Sequence, residues 1–312
     1  MSQFNDSLKK LLCFVPDKNE WLRHTFEDPD FEQNLFLGVF DKNQLVGTVL
    51  GVARTWKNPH KGFIKFIFAQ PSQEESRILT TLLTEIQKRL TAAKISEIHF
   101  GSSSPLYLFP GLYPENTTLY NLLLHNNWKN ISERINRVID MKNLRISQSD
   151  LADTMNRINC ANLAEKKSDI EQNRAYSVST ATGTDREELI SFIQNEFSIS
   201  WAEECRNALL PENYAFCSII RNNNNIITGF AAVNASNPNW FGPMGVKISL
   251  RGNGLGKLLV LYTIIEAEKR FPDTDKLLLP WINDNDKFYC NILGEIEKHS
   301  YRKMVFSCNN TN

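Results

Sequence analysis

The chain has 312 residues, more than one compact core usually organises, and a prior of about 150 residues per domain points to two domains. Its 35 Lys and Arg balance 35 Asp and Glu, so no net field gathers the molecule onto nucleic acid or an anionic membrane, and neither is expected as a partner. Hydrophobic content of 42 %, with 19 Phe, 6 Trp and 8 Tyr, excludes disorder along the whole chain.

The longest apolar run, Leu258 to Ile265, is far short of the roughly 20 residues that span a bilayer. Leu11 to Val15, between Lys9-Lys10 and Pro16, is too short for a signal-peptide core. Six cysteines (Cys13, Cys160, Cys205, Cys217, Cys290, Cys308) lie far apart with no C-x-x-C and no histidine at metal-ligand spacing. They read as reduced thiols of a cytoplasmic protein, and no metal is expected.

In chain order, Leu35 to Phe40 and Gln44 to Ala53 are β-rich runs separated by Asp41-Lys42-Asn43, the composition of a hairpin. Phe63 to Ala69 reads as a third strand. After Gln70-Pro71-Ser72, the spacing Ile78, Leu79, Leu82, Leu83, Ile86, Leu90 gives a helix with one apolar face. A strand from Ile95 to Phe100, a Pro/Gly-rich loop to Pro114, a helix around Leu119 to Leu124 and a strand from Glu133 to Met141 complete a first unit. The expected first domain covers residues 1–142.

Asn143 to Arg174 is polar with a weak helical pattern, which predicts a helical connector over 143–175. Helices over Asp185 to Phe197 and Ser200 to Leu210 follow. From Tyr214 the earlier order returns: strand to Ile220, an asparagine-rich hairpin, strand Ile226 to Ala235, strand Trp240 to Ser249, helix Gly254 to Arg270, strand Lys276 to Ile282, helix Asn285 to Leu293 and strand Tyr301 to Phe306. Gly47 and Gly229, 182 positions apart, hold corresponding places. Two copies of one α/β unit are expected, the second over 176–312.

The stretch from Val246 to Lys257 leaves a strand and enters the long helix of the second copy. Gly252, Gly254 and Gly256 allow a tight bend that turns successive backbone N–H groups toward one concavity, at a helix end carrying about half a positive charge. That is a pyrophosphate cradle. No Ser or Thr follows Lys257, as a Walker A loop requires, and Lys257 stands where a dinucleotide fingerprint has its third glycine. In the first copy the matching turn, Ala69 to Arg77, has no glycine and places Glu74 and Glu75 at the helix mouth, where they repel an anion.

Arg251-x-x-Gly254-x-Gly256 resembles the R/Q-x-x-G-x-G/A signature of the GNAT N-acetyltransferase superfamily. Phe288-Tyr289-Cys290-Asn291-Ile292-Leu293-Gly294 resembles its F-Y-x-x-x-G-F region with one additional residue. Ile248 stands where the family commonly has proline, and Glu295 replaces the usual aromatic. The resemblance covers Tyr176 to Phe306 well and the first unit more weakly. It implies an α/β (α+β) fold of two tandem GNAT-like domains, each a mostly antiparallel mixed sheet flanked by helices, the first degenerate.

The resemblance further implies acetyl-CoA as the acyl donor, held by Val246, Lys247, Ile248, Arg251, Gly252, Asn253, Gly254, Leu255, Gly256 and Lys257. A small-molecule or peptide amine would be the acceptor. Tyr289 takes the general-acid position, and Glu203 or Glu204, beside Trp201 in the acceptor-side helices, is the expected base. Trp201 itself reads as a core anchor. A longer acyl-CoA donor, or a silent acyl-CoA sensor, are the alternatives, and a monomer or homodimer is expected.

Overall fold

Lys42 and Asn43 both adopt positive φ, 44° and 67°. They form the two-residue turn that folds β1 (Phe36–Asp41) onto β2 (Gln44–Arg54), with Asp41 opposite Gln44. This hairpin opens the first of two compact units in a computed structural model that describes residues 12–55, 60–164, 176–209, 214–282 and 285–308. Unit 1 comprises Met1–Asn136 with Lys298–Asn312, and unit 2 comprises Arg137–Glu297.

In unit 1, helix α1 (Lys18–Phe26) precedes β1 and β2, β3 (Lys61–Ala69) extends the antiparallel meander, and α2 (Glu75–Ala92) leads to β4 (Glu97–Phe100), parallel to β3. The six apolar residues that mark the face of α2 in the sequence are all buried, and they form the centre of the core. A Cβ on Gly47 would lie 2.4 Å from Ile78; glycine there lets α2 press directly onto β2. Helix α3 (Thr117–His125) and strand β5 (Lys129–Asp140) follow.

Unit 1 also buries a charge cluster. Arg54 Nη2 donates to Asp28 Oδ2 at 2.7 Å and to Ser103 Oγ at 2.8 Å, Arg54 Nη1 donates to Asp30 Oδ2 at 2.8 Å, and Lys65 Nζ donates to Asp28. Burial pulls the Lys65 ammonium down to a pKa of about 8 against the opposing pull of Asp28.

Unit 2 begins with the last four residues of β5, which pair with β10 (Lys276–Leu279). Helix α4 (Gln148–Ala164) follows, then β6 (Ser177–Thr180), α5 (Arg186–Glu196) and α6 (Ile199–Ala208). Strands β7 (Phe216–Arg221), β8 (Ile227–Val233) and β9 (Phe241–Val246) extend β6 into a four-stranded antiparallel sheet in chain order. Helix α7 (Leu255–Arg270), β10 and α8 (Asp286–Leu293) complete the unit.

The last strand, β11 (Glu297–Ser307), lies almost wholly in unit 1, whereas the expected second domain runs over 176–312. It pairs with β4, Val305 opposite His99, and its Met304 enters the core of unit 1. A strand's partner depends on which edge is open, and alternation along the strand does not encode that. Residues 143–175 likewise contain more than a connector. Thr154 and Ile158 of α4 are buried, and Ile158 reaches the start of α7.

All six cysteines are free thiols. Among the described residues no helix is long and apolar enough to cross a membrane, and no group of three His, Cys, Asp or Glu is placed to hold a metal.

Candidate active site

Strand β9 is paired on one side only for most of its length. Opposite β8, it meets β10 through a single parallel bridge, Trp240 to Leu278; from Phe241 onward its recorded partner among the described residues is β8. The Lys247 N–H donates to the Thr228 carbonyl of β8 at 2.9 Å. Alternation along the strand therefore turns the N–H and C=O groups of Val246 and Met244 to the open edge. Arg251 Nε confirms this direction by donating to the Val246 carbonyl at 3.3 Å.

After β9 the chain makes a short 3-10 turn, Ile248–Leu250, and Arg251 returns to extended backbone. Gly252 and Gly254 then adopt φ of 86° and 80°, the left-handed region where a side chain is strained. Gly254 is the N-cap of α7 and offers no side chain to cap it. The first helical bond runs from Leu258 N to Gly254 O at 3.1 Å, so the N–H groups of Leu255, Gly256 and Lys257 have no acceptor within the helix. Gly256 is small for another reason: a Cβ there would sit 3.1 Å from the Phe288 ring of α8.

These elements enclose a cavity of about 440 Å³. One end is the turn, with Leu250, Arg251, Gly252, Gly254, Leu255, Gly256 and Lys257. Met244, Gly245 and Val246 form the β9 wall, Asn285, Phe288 and Tyr289 the α8 wall, and Phe197 with Trp201 the far end. The Tyr289 hydroxyl lies 3.8 Å from Met244 Sδ, and burial pushes its pKa well above the ordinary phenol value, so it keeps its proton. Phe197 stacks on Trp201 with ring centres 5.5 Å apart, and lies 2.4 Å from where a Cβ on Gly245 would be.

No protein-family model matches the sequence, and neither does any curated protein. Solved structures do match. A GCN5-related glucosamine N-acetyltransferase region of a fungal multi-domain β-N-acetylglucosaminidase superposes with a TM-score of 0.67 at 16 % identity, over 85 % of this chain and 32 % of that one. A tandem GNAT protein from the clavulanic acid biosynthesis pathway gives 0.59 at 11 % identity over 95 % and 90 %. The N-myristoyltransferase of Saccharomyces cerevisiae, solved with myristoyl-CoA, gives 0.56 at 12 % over 96 % and 75 %. The chain has the tandem GNAT fold.

Within that GNAT fold the cavity brings together seven of the ten residues expected at the cofactor: Val246, Arg251, Gly252, Gly254, Leu255, Gly256 and Lys257, joined by Tyr289. Lys247, Ile248 and Asn253 are not among the lining residues; Lys247 instead pairs with Glu196 at 3.2 Å, and the Asn253 amide donates to the Leu250 carbonyl at 3.3 Å. The two glutamates expected as base lie elsewhere. Neither Glu203 nor Glu204 lines the cavity. Glu203 projects about 200° around α6 from Trp201 and faces Arg206 at 3.4 Å. The buried Glu204 carboxylate accepts from Ser236 Oγ at 2.5 Å.

Trp201, read from sequence as a core anchor, is also cavity wall. Phe197, Met244, Gly245 and Asn285 were not singled out at all, since nothing in a lone Phe or Met distinguishes wall from core. The corresponding turn of unit 1 has no glycine; its Glu74 N–H donates to Ser72 Oγ at 3.2 Å, and the Glu74 carboxylate pairs with Arg77 at 2.5 Å. Tyr120, the counterpart of Tyr289, carries the Arg302 guanidinium 4.1 Å above its ring.

Proposed function

We propose that unit 2 is an acyltransferase that moves the acetyl group of acetyl-CoA to the primary amine of a small molecule or peptide. One observation carries this reading: the uncapped N-terminus of α7, entered through two left-handed glycines, opens into the same cavity as the Tyr289 hydroxyl. The free amides of Leu255, Gly256 and Lys257, with the side chains of Arg251 and Lys257, suit a pyrophosphate. Acetyl-CoA supplies the activated thioester.

The open-edge N–H groups of Met244 and Val246 are the donors available to a carbonyl oxygen as it becomes an oxyanion. A single amide of this kind contributes about 10²–10³-fold where it has been removed elsewhere. Tyr289 holds the proton that the departing thiolate needs. Phe197 and Trp201 close the far end, which favours a short acyl group over a long one. The amine nitrogen forms the C–N bond as the C–S bond breaks, and Tyr289 gives its proton to the thiolate. The surplus amine proton leaves through water, from which Tyr289 is reprotonated. Glu203 and Glu204, which do not line the cavity, receive no step.

Coenzyme A release from acetyl-CoA, measured against a panel of amines with product mass confirmed, tests the reading. Tyr289→Phe removes only the hydroxyl, so turnover should fall by about 10²–10⁴-fold while coenzyme A affinity is kept. Unchanged turnover would remove Tyr289 from the chemistry, and a protein that binds no coenzyme A would remove the whole reading.

A further inference from the structure

Arg137 sits opposite Leu279 in the ladder between β5 and β10, and Leu279 is the last residue of β10 before the chain runs to α8. Its guanidinium donates Nε to Asp286 Oδ1 at 2.7 Å and Nη2 to Asp286 Oδ2 at 2.9 Å. The remaining nitrogen, Nη1, donates to the Ile296 carbonyl at 2.6 Å. Asp286 is the first residue of α8, and Ile296 lies three residues beyond its last, Leu293. One side chain therefore holds both ends of the helix that brings Phe288 and Tyr289 to the cavity.

That helix needs holding. It has 8 residues, its N-cap Asn285 makes no side-chain capping bond, and Gly294 at φ 78° ends it; a helix of this length is not stable by itself. The Arg137 backbone is fixed in the β ladder, so its planar fork presents two parallel bonds to a carboxylate from a rigid base. The pair is mostly shielded from water, at 14 % and 24 % side-chain exposure. Tyr289 follows Asp286 by three residues and shares its side of the helix, so a displacement of Asp286 is passed to the phenol.

We infer that Arg137 is a positioning residue for the transfer reaction, clamping α8 so that the Tyr289 hydroxyl stays at the cavity wall beside Met244. The inference rests on the proposed role of Tyr289. Arg137 is not among the residues lining the cavity, and it acts through α8.

The test uses the full chain with 3-fluorotyrosine at position 289, read by fluorine NMR, alongside acetyl-CoA turnover of the unlabelled proteins. Arg137→Gln and the near-isosteric Asp286→Asn should each shift or split the fluorine resonance. Lys142→Gln, which breaks the exposed Lys142–Asp275 pair of the same unit (2.7 Å), should leave it in place. Arg137→Gln should lower kcat by about 10- to 100-fold at native KM for acetyl-CoA, the scale of a misplacement of about 1 Å. Arg137→Lys, keeping the charge without the fork, should fall between. In a Tyr289→Phe background, Arg137→Gln should add nothing. A native resonance in both Arg137→Gln and Asp286→Asn, or kinetic losses that multiply, overturns the clamp. A shifted resonance in a protein whose turnover ignores Tyr289→Phe upholds the clamp on α8 and overturns the role of Tyr289 in the transfer.

Discussion

Replacing Gly254 by alanine perturbs the site with the smallest side chain available. At φ 80° an alanine occupies the left-handed region at a cost of about 1–2 kcal/mol. The new Cβ also lies 3.3 Å from Ile158 Cγ1, so α4 must yield by a few tenths of an ångström or the N-terminus of α7 must move. At about 2–4 °C per kcal/mol for a domain of this size, the melting temperature should fall by roughly 2–8 °C. If one of the uncapped amides is turned from a phosphate oxygen, a bond to a charged group worth about 1.5–3 kcal/mol is lost, and coenzyme A should bind about 10- to 150-fold more weakly.

Two further alanines separate strain from contact in the same experiment. Gly252 has φ 86° but no atom within 4 Å of an added Cβ, so Gly252→Ala tests strain alone. Gly183 has neither a positive φ nor a neighbour within 4 Å, so Gly183→Ala should behave as native. Calorimetric titration with coenzyme A and thermal unfolding by circular dichroism read the two effects. Lower melting in Gly254→Ala and Gly252→Ala at native coenzyme A affinity would refute the cradle.

Calorimetry should also give one coenzyme A per chain, because the unit 1 turn has no glycine and carries two carboxylates, Glu74 and Glu75, that repel a pyrophosphate; two equivalent sites would contradict that. Phe197→Ala removes the ring that lies against Gly245, so the acyl-CoA chain-length profile should extend beyond acetyl, and an unchanged profile would deny Phe197 its place as end wall. The Lys65 ammonium has a folded pKa of about 8 against an ordinary 10.5. Between those values the unfolded chain keeps a proton that the folded one has released, so Lys65 contributes stability that rises with pH through this window and is lost again as pH falls to 8, by an amount on the order of 3 kcal/mol. Guanidinium unfolding at pH 8, 9 and 10 should show that slope in the native protein and lose it in Lys65→Met; equal slopes would count against it.

Elements whose signal is local were legible in the sequence. The apolar face of α2 is written in the spacing of Ile78 to Leu90, and the β1–β2 turn in Lys42-Asn43. The glycine turn was legible because Gly252 and Gly254 are demanded by φ, a property of the residue itself. The unread parts are set by distant partners. Nothing in β11 names β4 as its neighbour. Four residues of β6 are too few to show alternation. Trp201 packs against the core and also lines the cavity, and the partners of Glu203 and Glu204, Arg206 and Ser236, are set by the fold.

The two units isolate what the chemistry requires. Both place a glycine of the second meander strand, Gly47 or Gly229, under the long helix, and both put a tyrosine on the following short helix. They part at the turn. In unit 1, Ser72 accepts from the Glu74 N–H at 3.2 Å through its hydroxyl and from Glu75 N at 3.2 Å through its carbonyl, and the carboxylates of Glu74 and Glu75 stand at the helix mouth, where they repel an anion. In unit 2 the N-cap is Gly254, which has no side chain, and glycine at this position costs only about a few tenths of a kcal/mol against a capping residue. Neither long helix has a side-chain cap, so charge and backbone separate the copies. Glu74 and Glu75 stand at one mouth, and left-handed Gly252 and Gly254 with Arg251 and Lys257 at the other, beside a protonated phenol, which is why the proposed anion site falls in unit 2.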